Sequence, residues 1–371
     1  MIRLIRPYIS FDEVEADFRQ MFADGMFTRG RHVQEFRREI AAYCGSQYAH
    51  LTTSATTALS LCMRLLEVGP GDEVVVADFS FPATANVVVE AGARPVFADV
   101  SPATFNMTTD ALMRRITPKT KAVIAVDVFG NPTGIHEIAQ ICRERGLTLI
   151  EDAACAIGSS ERGVRCGRIA DLTCFSFHPR KLLTTGEGGA ITTQSADWSA
   201  WLEVKLNHGA RGMLGFGLDF VDYGYNYRLS EPQAILGRVQ LRKLDAIVAE
   251  RNAIRSAYAE RLASLGFTPQ ATGDDVVFNV QSLVFRVPSG IDRDALIGGL
   301  KEDGIETSIG TYCLSGTTYF RKLYADVQPV AERLQRETIT FPCYAGVDVV
   351  RVCDAVRTRL ARSPEIGQRN A

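Results

Sequence analysis

Leu147-Thr-Leu-Ile-Glu-Asp-Ala-Ala-Cys155 opens as a short run of strand formers, ends on two carboxylates and closes on small residues. In an open sheet of parallel strands, ligands bind beyond the carboxyl ends of the strands, so such a run aims Asp152 at a cleft. Its neighbour Glu151 is expected to be solvated. Outward from this segment the pattern repeats. Short β-branched runs at 73–77, 95–98, 122–126, 172–176 and 189–193 alternate with stretches long enough for a helix, and several are apolar on both faces. Strands of that kind belong to a sheet covered by helices on either side. The expected fold class is α/β, three layers around a mostly parallel sheet.

Around Ser230 the pattern changes. Ser230-Glu-Pro232 is a helix-start signal, and Ile235, Leu236, Val239, Leu244, Ile247, Val248, Ile254 and Tyr258 follow at helical spacing towards Gly266. This predicts one long linking helix. A strand-like stretch at 280–287, a helix at 292–303 and another from Pro329 then describe a smaller α+β unit. The division expected is a large unit over 1–250 and a small C-terminal one over 251–371. The polar tail from Arg362 is expected to fray.

The chain has 371 residues, long enough for two cores, with 41 Lys plus Arg against 43 Asp plus Glu. The near-neutral balance has no basic stripe for a phosphate backbone, which argues against nucleic acid as a partner. Apolar stretches fall far short of the roughly 18 residues that cross a bilayer, and the N-terminus lacks an apolar leader, so a cytoplasmic protein with no membrane partner is expected. Nine scattered cysteines without a Cys-x-x-Cys pair, and five unclustered histidines, give no pattern for a metal.

Three segments carry chemistry. In Thr52-Thr-Ser-Ala-Thr-Thr-Ala-Leu59, Ser54 caps a helix whose apolar face is Ala58, Leu61, Cys62, Leu65 and Leu66; the helix start offers amides and hydroxyls to a phosphate. Asp152 at a strand end can hold a cationic ring nitrogen through a charge-assisted hydrogen bond. In Cys174-Phe-Ser-Phe-His-Pro-Arg-Lys-Leu-Leu-Thr-Thr-Gly-Glu-Gly-Gly189, a strand delivers Ser176, and Lys181 stands before a glycine-rich turn where backbone can approach a ligand. Each alone has an ordinary reading: a capped helix, a turn acid, a solvated lysine. Together they describe a pocket for pyridoxal 5'-phosphate, with Lys181 as the Schiff-base lysine, Asp152 on the pyridine nitrogen and the helix start on the phosphate. A dinucleotide site is excluded, because no Gly-x-Gly-x-x-Gly follows a strand.

The chain also resembles the DegT/StrS family of pyridoxal-phosphate sugar aminotransferases, which have the aspartate aminotransferase fold. The resemblance rests on Met26-Phe-Thr-Arg-Gly30, Gly69-Pro-Gly-Asp-Glu-Val74, Phe79-Ser-Phe-Pro-Ala-Thr-Ala-Asn86, Glu151-Asp-Ala-Ala154, Phe175-Ser-Phe-His-Pro179 with Lys181, Thr185-Gly-Glu-Gly-Gly189, Asn207-His-Gly209 and Gly224-Tyr-Asn-Tyr-Arg-Leu-Ser-Glu231. It implies Lys181 and Asp152 as catalytic residues, Ala55, Thr56 and Ser176 on the phosphate, Phe81 over the ring, and Asn226 reaching the phosphate of a neighbouring subunit in a homodimer. For Phe81 the residues alone equally allow core packing, and for Asn226 a turn. Where relatives carry Gln, His or Glu near the cofactor, this chain has Cys155. Arg180 precedes the lysine, placed either to face a diphosphate or simply to be solvated. Residues 310–319 lack the His and Pro common in relatives, which implies an altered substrate pocket. The lysine, where a dehydratase branch has histidine, implies transamination from L-glutamate to a nucleotide-diphosphate keto sugar. An aminocyclitol or other nucleotide-free ketone as acceptor, and a non-catalytic regulatory protein, are the alternatives.

Overall fold

A computed structural model gives the fold over residues 1–362. Seven strands, Tyr48–Thr52, Glu73–Ala77, Arg94–Ala98, Thr120–Val126, Thr148–Asp152, Leu172–Ser176 and Gly189–Thr193, form one sheet. Naming each strand by its first residue, the order across the sheet is 48, 189, 172, 148, 120, 73, 94. The five strands from 172 to 94 are parallel, and Gly189–Thr193 runs antiparallel between Leu172–Ser176 and Tyr48–Thr52. The α/β class with a mostly parallel sheet is therefore as expected.

Strand periodicity divides the core in two. Val74, Val76, Ile124 and Ile150 pack under helices Ala55–Leu65 and Ala83–Glu90, while Val75, Ala77, Val123 and Leu149 face helices Thr109–Arg115 and Ile135–Arg145. Successive residues point to opposite faces, and burial on both explains the unbroken apolar runs. Helices Arg31–Cys44 and Glu231–Arg242 pack together over the end of the sheet that holds Ala49, Phe175 and Ala190.

A second sheet pairs Leu283–Arg286 and Thr338–Phe341 at its centre, flanked by Thr268–Pro269 and Ser308–Ile309. Helices Arg293–Glu302 and Val349–Arg362 cover it around Phe285, Leu300, Phe341 and Val356. Helices were expected at 292–303 and from Pro329, and both form, as Arg293–Glu302 and Pro329–Glu337. The strand-like stretch at 280–287 forms a strand only over Leu283–Arg286, because Val280 takes a left-handed φ of 55°.

The single linking helix is instead two, Glu231–Arg242 and Leu244–Ala263, broken at Lys243 with φ −109° and ψ 9°. Apolar spacing continues across the break, so it is silent in the sequence. The first helix buries Ala234 and Leu241 against the seven-stranded sheet's core; the second carries Tyr258 and Leu262 into the C-terminal core. One straight rod cannot serve both. Edge strand Tyr48–Thr52 and the hairpin Ala210–Leu214 with Gly217–Phe220 were not expected. Among the described residues no helix is long and apolar enough to cross a membrane. Of the polar tail, only Arg362 lies within the described residues, as the last residue of its helix.

Candidate active site

The carboxyl ends of the central strands bring three of the expected elements to one place. Register sets Thr52 opposite Gly189, Gly189 opposite Ser176, and Asp152 opposite Cys174. Helix Ala55–Leu65 starts directly beyond Thr52. Its N-cap Ser54 forms a capping box with Thr57: the Ser54 hydroxyl accepts from the Thr57 amide at 3.1 Å, and the Thr57 hydroxyl accepts from the Ser54 amide at 3.1 Å. The box uses the third helical amide and leaves those of Ala55 and Thr56 without an intrahelical acceptor. These unspent donors sit at the positive end of the helix dipole.

Gly189 makes room for that helix start. A Cβ there would lie 2.6 Å from the Ser54 carbonyl carbon and 2.7 Å from the Ala55 nitrogen, both backbone atoms that cannot give way. Only glycine lets the strand and the helix end meet this closely.

Asp152 is 6% exposed. Thr84 donates its hydroxyl to Oδ2 at 2.7 Å, and the Ala154 amide donates to Oδ1 at 3.2 Å. Burial pushes the carboxyl above its ordinary range; the Thr84 and Ala154 bonds and the positive charge of Lys181 pull it back. A buried carboxylate held by two donors and still short of charge compensation suits a cationic ring nitrogen.

Glu151, expected in solvent, is fully buried on the opposite side of the strand. Helices cover both faces, so no solvated side exists. Thr173 donates to its Oε2 at 2.7 Å and the Gly167 amide at 3.2 Å. Asp127, Glu151 and Cys166 gather with ligand atoms within 4.8 Å of one another, and Asp127 Oδ2 and Glu151 Oε1 find no donor among the described residues. Burial first, and then the Glu151 charge, raise Asp127 well above the carboxylate range.

Lys181 lies in the loop between strands Leu172–Ser176 and Gly189–Thr193. The loop is closed at its base, where the Phe177 amide donates to Gly188 O at 2.8 Å and the Thr185 amide to Phe177 O at 2.9 Å. Two glutamine side chains brace it from outside. Gln281 accepts from the Leu182 amide at 2.6 Å and donates to Arg180 O at 2.7 Å; Gln240 accepts from the Thr184 amide at 3.1 Å and donates to Thr184 O at 2.6 Å. Each amide group thus does for the loop what a neighbouring strand would. Half-buried Lys181 donates from Nζ to Cys155 Sγ at 3.1 Å. Cys155 is half-buried, and the other eight thiols are buried.

Phe81 is 64% exposed, which removes the core-packing reading, and its ring meets Tyr312 edge-on at 6.3 Å between centroids. Ser176 is buried at its strand end, with Thr56 exposed and Ala55 half-buried on the helix start. The Arg180 side chain is exposed. Asn226 is exposed on the irregular stretch that follows the hairpin. Sequence reasoning missed Thr84, Gln240 and Gln281. Thr84 lies in Phe-Pro-Ala-Thr as the second residue of helix Ala83–Glu90, and a hydroxyl there was the available signal. The glutamines sit 56 and 99 residues from their partners, and no local pattern marks them.

Pyridoxal 5'-phosphate fits these residues: the glycine cradle, the unspent amides and the buried, under-compensated carboxylate each match one part of it. Known proteins point the same way. The GDP-perosamine synthase of Caulobacter vibrioides is 34% identical over 336 residues, covering 88% of this chain and 90% of that protein. The dTDP-4-dehydro-2,3,6-trideoxy-D-glucose 4-aminotransferase of Saccharopolyspora spinosa is 34% identical over 367 residues, covering 95% and 94%. Among solved structures, Spr1654 from Streptococcus pneumoniae in its PMP form superposes with a TM-score of 0.91 at 28% identity, covering 97% of this chain and 99% of that one. Residues 10–357 match the DegT/DnrJ/EryC1/StrS aminotransferase family, and the chain belongs to it.

Proposed function

We propose that this aminotransferase works in the cytoplasm with pyridoxal 5'-phosphate and moves an amino group from L-glutamate to a keto sugar carried on a nucleotide diphosphate. The observation that carries the reading is the buried Asp152 carboxylate, on which the Lys181 charge acts, at the same strand ends from which the helix with the Ala55 and Thr56 amides starts. The similarity to GDP- and dTDP-sugar enzymes over nearly the whole chain supports the acceptor class. In this reading residues 1–250 carry the cofactor and 251–371 form the smaller unit beside it.

When bound, the cofactor supplies an electron sink for the charge left when the donor loses its Cα proton. The Ala55 and Thr56 amides and the Ser176 hydroxyl bind its phosphate, Asp152 keeps the ring nitrogen protonated, and Phe81 covers one face of the ring. Lys181 would anchor the cofactor and then work as the acid and base: Nζ would take the Cα proton of glutamate and return a proton two bonds away, on the other side of the amino nitrogen, and would repeat the two transfers in reverse on the sugar. Cys155 holds Nζ by a weak thiol contact.

The test is turnover of glutamate with a panel of keto sugars, with and without the nucleotide, read by product mass. Amination only of nucleotide-linked sugars is expected. Equal or better turnover of nucleotide-free ketones overturns the acceptor assignment, and a failure of glutamate to bleach the cofactor's yellow colour overturns the enzyme reading.

The active unit is proposed to be a homodimer, with Asn226 of each subunit serving its neighbour's phosphate. What supports this is the hairpin Ala210–Leu214/Gly217–Phe220, which leaves Met213, Leu214, Phe216, Leu218 and Phe220 exposed next to the Asn226 segment. A projecting apolar arm of that size needs a partner surface. Changing both Leu214 and Phe216 to Ser is expected to shift sedimentation from dimer to monomer and lower activity by about tenfold or more. A fully active dimer from that variant removes the hairpin from the interface.

A further inference from the structure

One short segment of the C-terminal unit reaches the cleft beside Phe81, and two carboxylates that follow strands of the seven-stranded sheet fasten it. Asp78 and Asp99 follow directly on the adjacent parallel strands Glu73–Ala77 and Arg94–Ala98. Asp99 accepts from the Val330 and Ala331 amides, both at 3.0 Å, and so caps helix Pro329–Glu337. Asp78 is fully buried and accepts three bonds from one turn: the Ser315 amide at 2.7 Å, the Ser315 hydroxyl at 2.6 Å and the Cys313 thiol at 3.2 Å. The Leu314 amide donates to Asp78 O at 2.8 Å.

The turn so held leads straight to the cleft. Tyr312 and Cys313 pair antiparallel with Ser80 and Phe79, and the Thr311 hydroxyl donates to Ser80 O at 2.9 Å. The Ser80 and Thr84 hydroxyls lie 2.9 Å apart, and Thr84 donates to Asp152. Tyr312 is left 40% exposed beside Phe81, with its hydroxyl unpartnered among the described residues.

We propose that Asp78 is a positioning residue for the amino acceptor: by binding Ser315 and Cys313 it holds Tyr312 beside Phe81 as the aromatic wall that the acceptor meets. An aromatic face with a free hydroxyl at its edge suits a sugar ring, whose C–H groups stack and whose hydroxyls bond. The inference rests on the aminotransferase reading above. Ionised Asp78 accepts from all three donors, whereas an asparagine there turns one acceptor into a donor facing the Ser315 hydroxyl and the Cys313 thiol.

A double-mutant cycle tests this with whichever ketone the wild-type enzyme turns over best. Asp78→Asn and Tyr312→Ala are each expected to raise the acceptor KM about tenfold or more, with kcat and the glutamate half-reaction held within about twofold. In the Tyr312→Ala background, Asp78→Asn should add less than about twofold, because the group it positions is gone. Ser315→Ala removes the same bond from the other side and is run in parallel should Asp78→Asn fail to fold; it must show the same split. Multiplicative effects, an unchanged KM, or an equal loss in the glutamate half-reaction overturn the proposal. An enzyme that accepts only nucleotide-free ketones overturns the sugar-nucleotide reading instead, and the coupling is then decided on that ketone.

Discussion

Lys181→Ala is expected to lower transamination by about a thousandfold or more, since one amine both anchors the cofactor and moves both protons. The effect should be confined to chemistry. Lys181 is half-buried and, among the described residues, its side chain has its one hydrogen bond with the Cys155 thiol, while the loop that carries it is held by backbone and by Gln240 and Gln281. The melting temperature of the cofactor-free variant should therefore match that of the wild type. Absorbance supplies the second readout: the variant should lose the yellow band that depends on a covalent lysine link, even if it still holds the cofactor through the phosphate donors and Asp152. A yellow, active Lys181→Ala protein would sink the assignment.

Asp152→Asn is expected to lower kcat/KM by about a hundredfold to a thousandfold, the scale of removing one member of a buried charge pair. Stability should move the other way. The folded-state carboxyl titrates above its unfolded value because burial outweighs the Thr84 and Ala154 bonds. The native state thus binds that proton more tightly than the unfolded chain, so the ionised group costs stability at neutral pH, a cost that fades as pH falls through the raised pKa. Asparagine is neutral throughout and removes this cost. The cofactor-free variant should melt at the same temperature as wild type or higher at pH 7, while the wild type regains the difference on acidification. An Asp152→Asn protein that is both destabilised and inactive would point to a structural rather than an electrostatic role.

Features written in local pattern were legible before the structure. Strands buried on both faces have apolar runs, a capped helix has Ser54, and a strand end that carries a carboxylate has Asp152 at its terminus. Features decided by what lies opposite were not. Glu151 reads as a solvated acid because nothing nearby shows that Gly167 and Thr173 will meet it in the interior. The helix break at Lys243 has no proline or glycine to announce it and follows from two cores in different directions. Asp78 and Ser315 are 237 residues apart, and their bond exists only once the two sheets are side by side. Asp152 and Lys181 were legible as a pair because both sit in consecutive strand-and-loop units, so the topology that joins them is itself local.

The glutamine braces give two amides of the lysine loop different clocks. The Leu182 amide is held by Gln281, which belongs to the C-terminal core side, and the Thr184 amide by Gln240, in a helix packed on the seven-stranded sheet. In deuterated solvent, protection at Leu182 measures how often the C-terminal unit lifts away, and protection at Thr184 how often the sheet's own cover opens. Two amides flanking one residue thus report separately on two openings, and the gap between their exchange rates is the part of the loop's rigidity borrowed from the C-terminal unit.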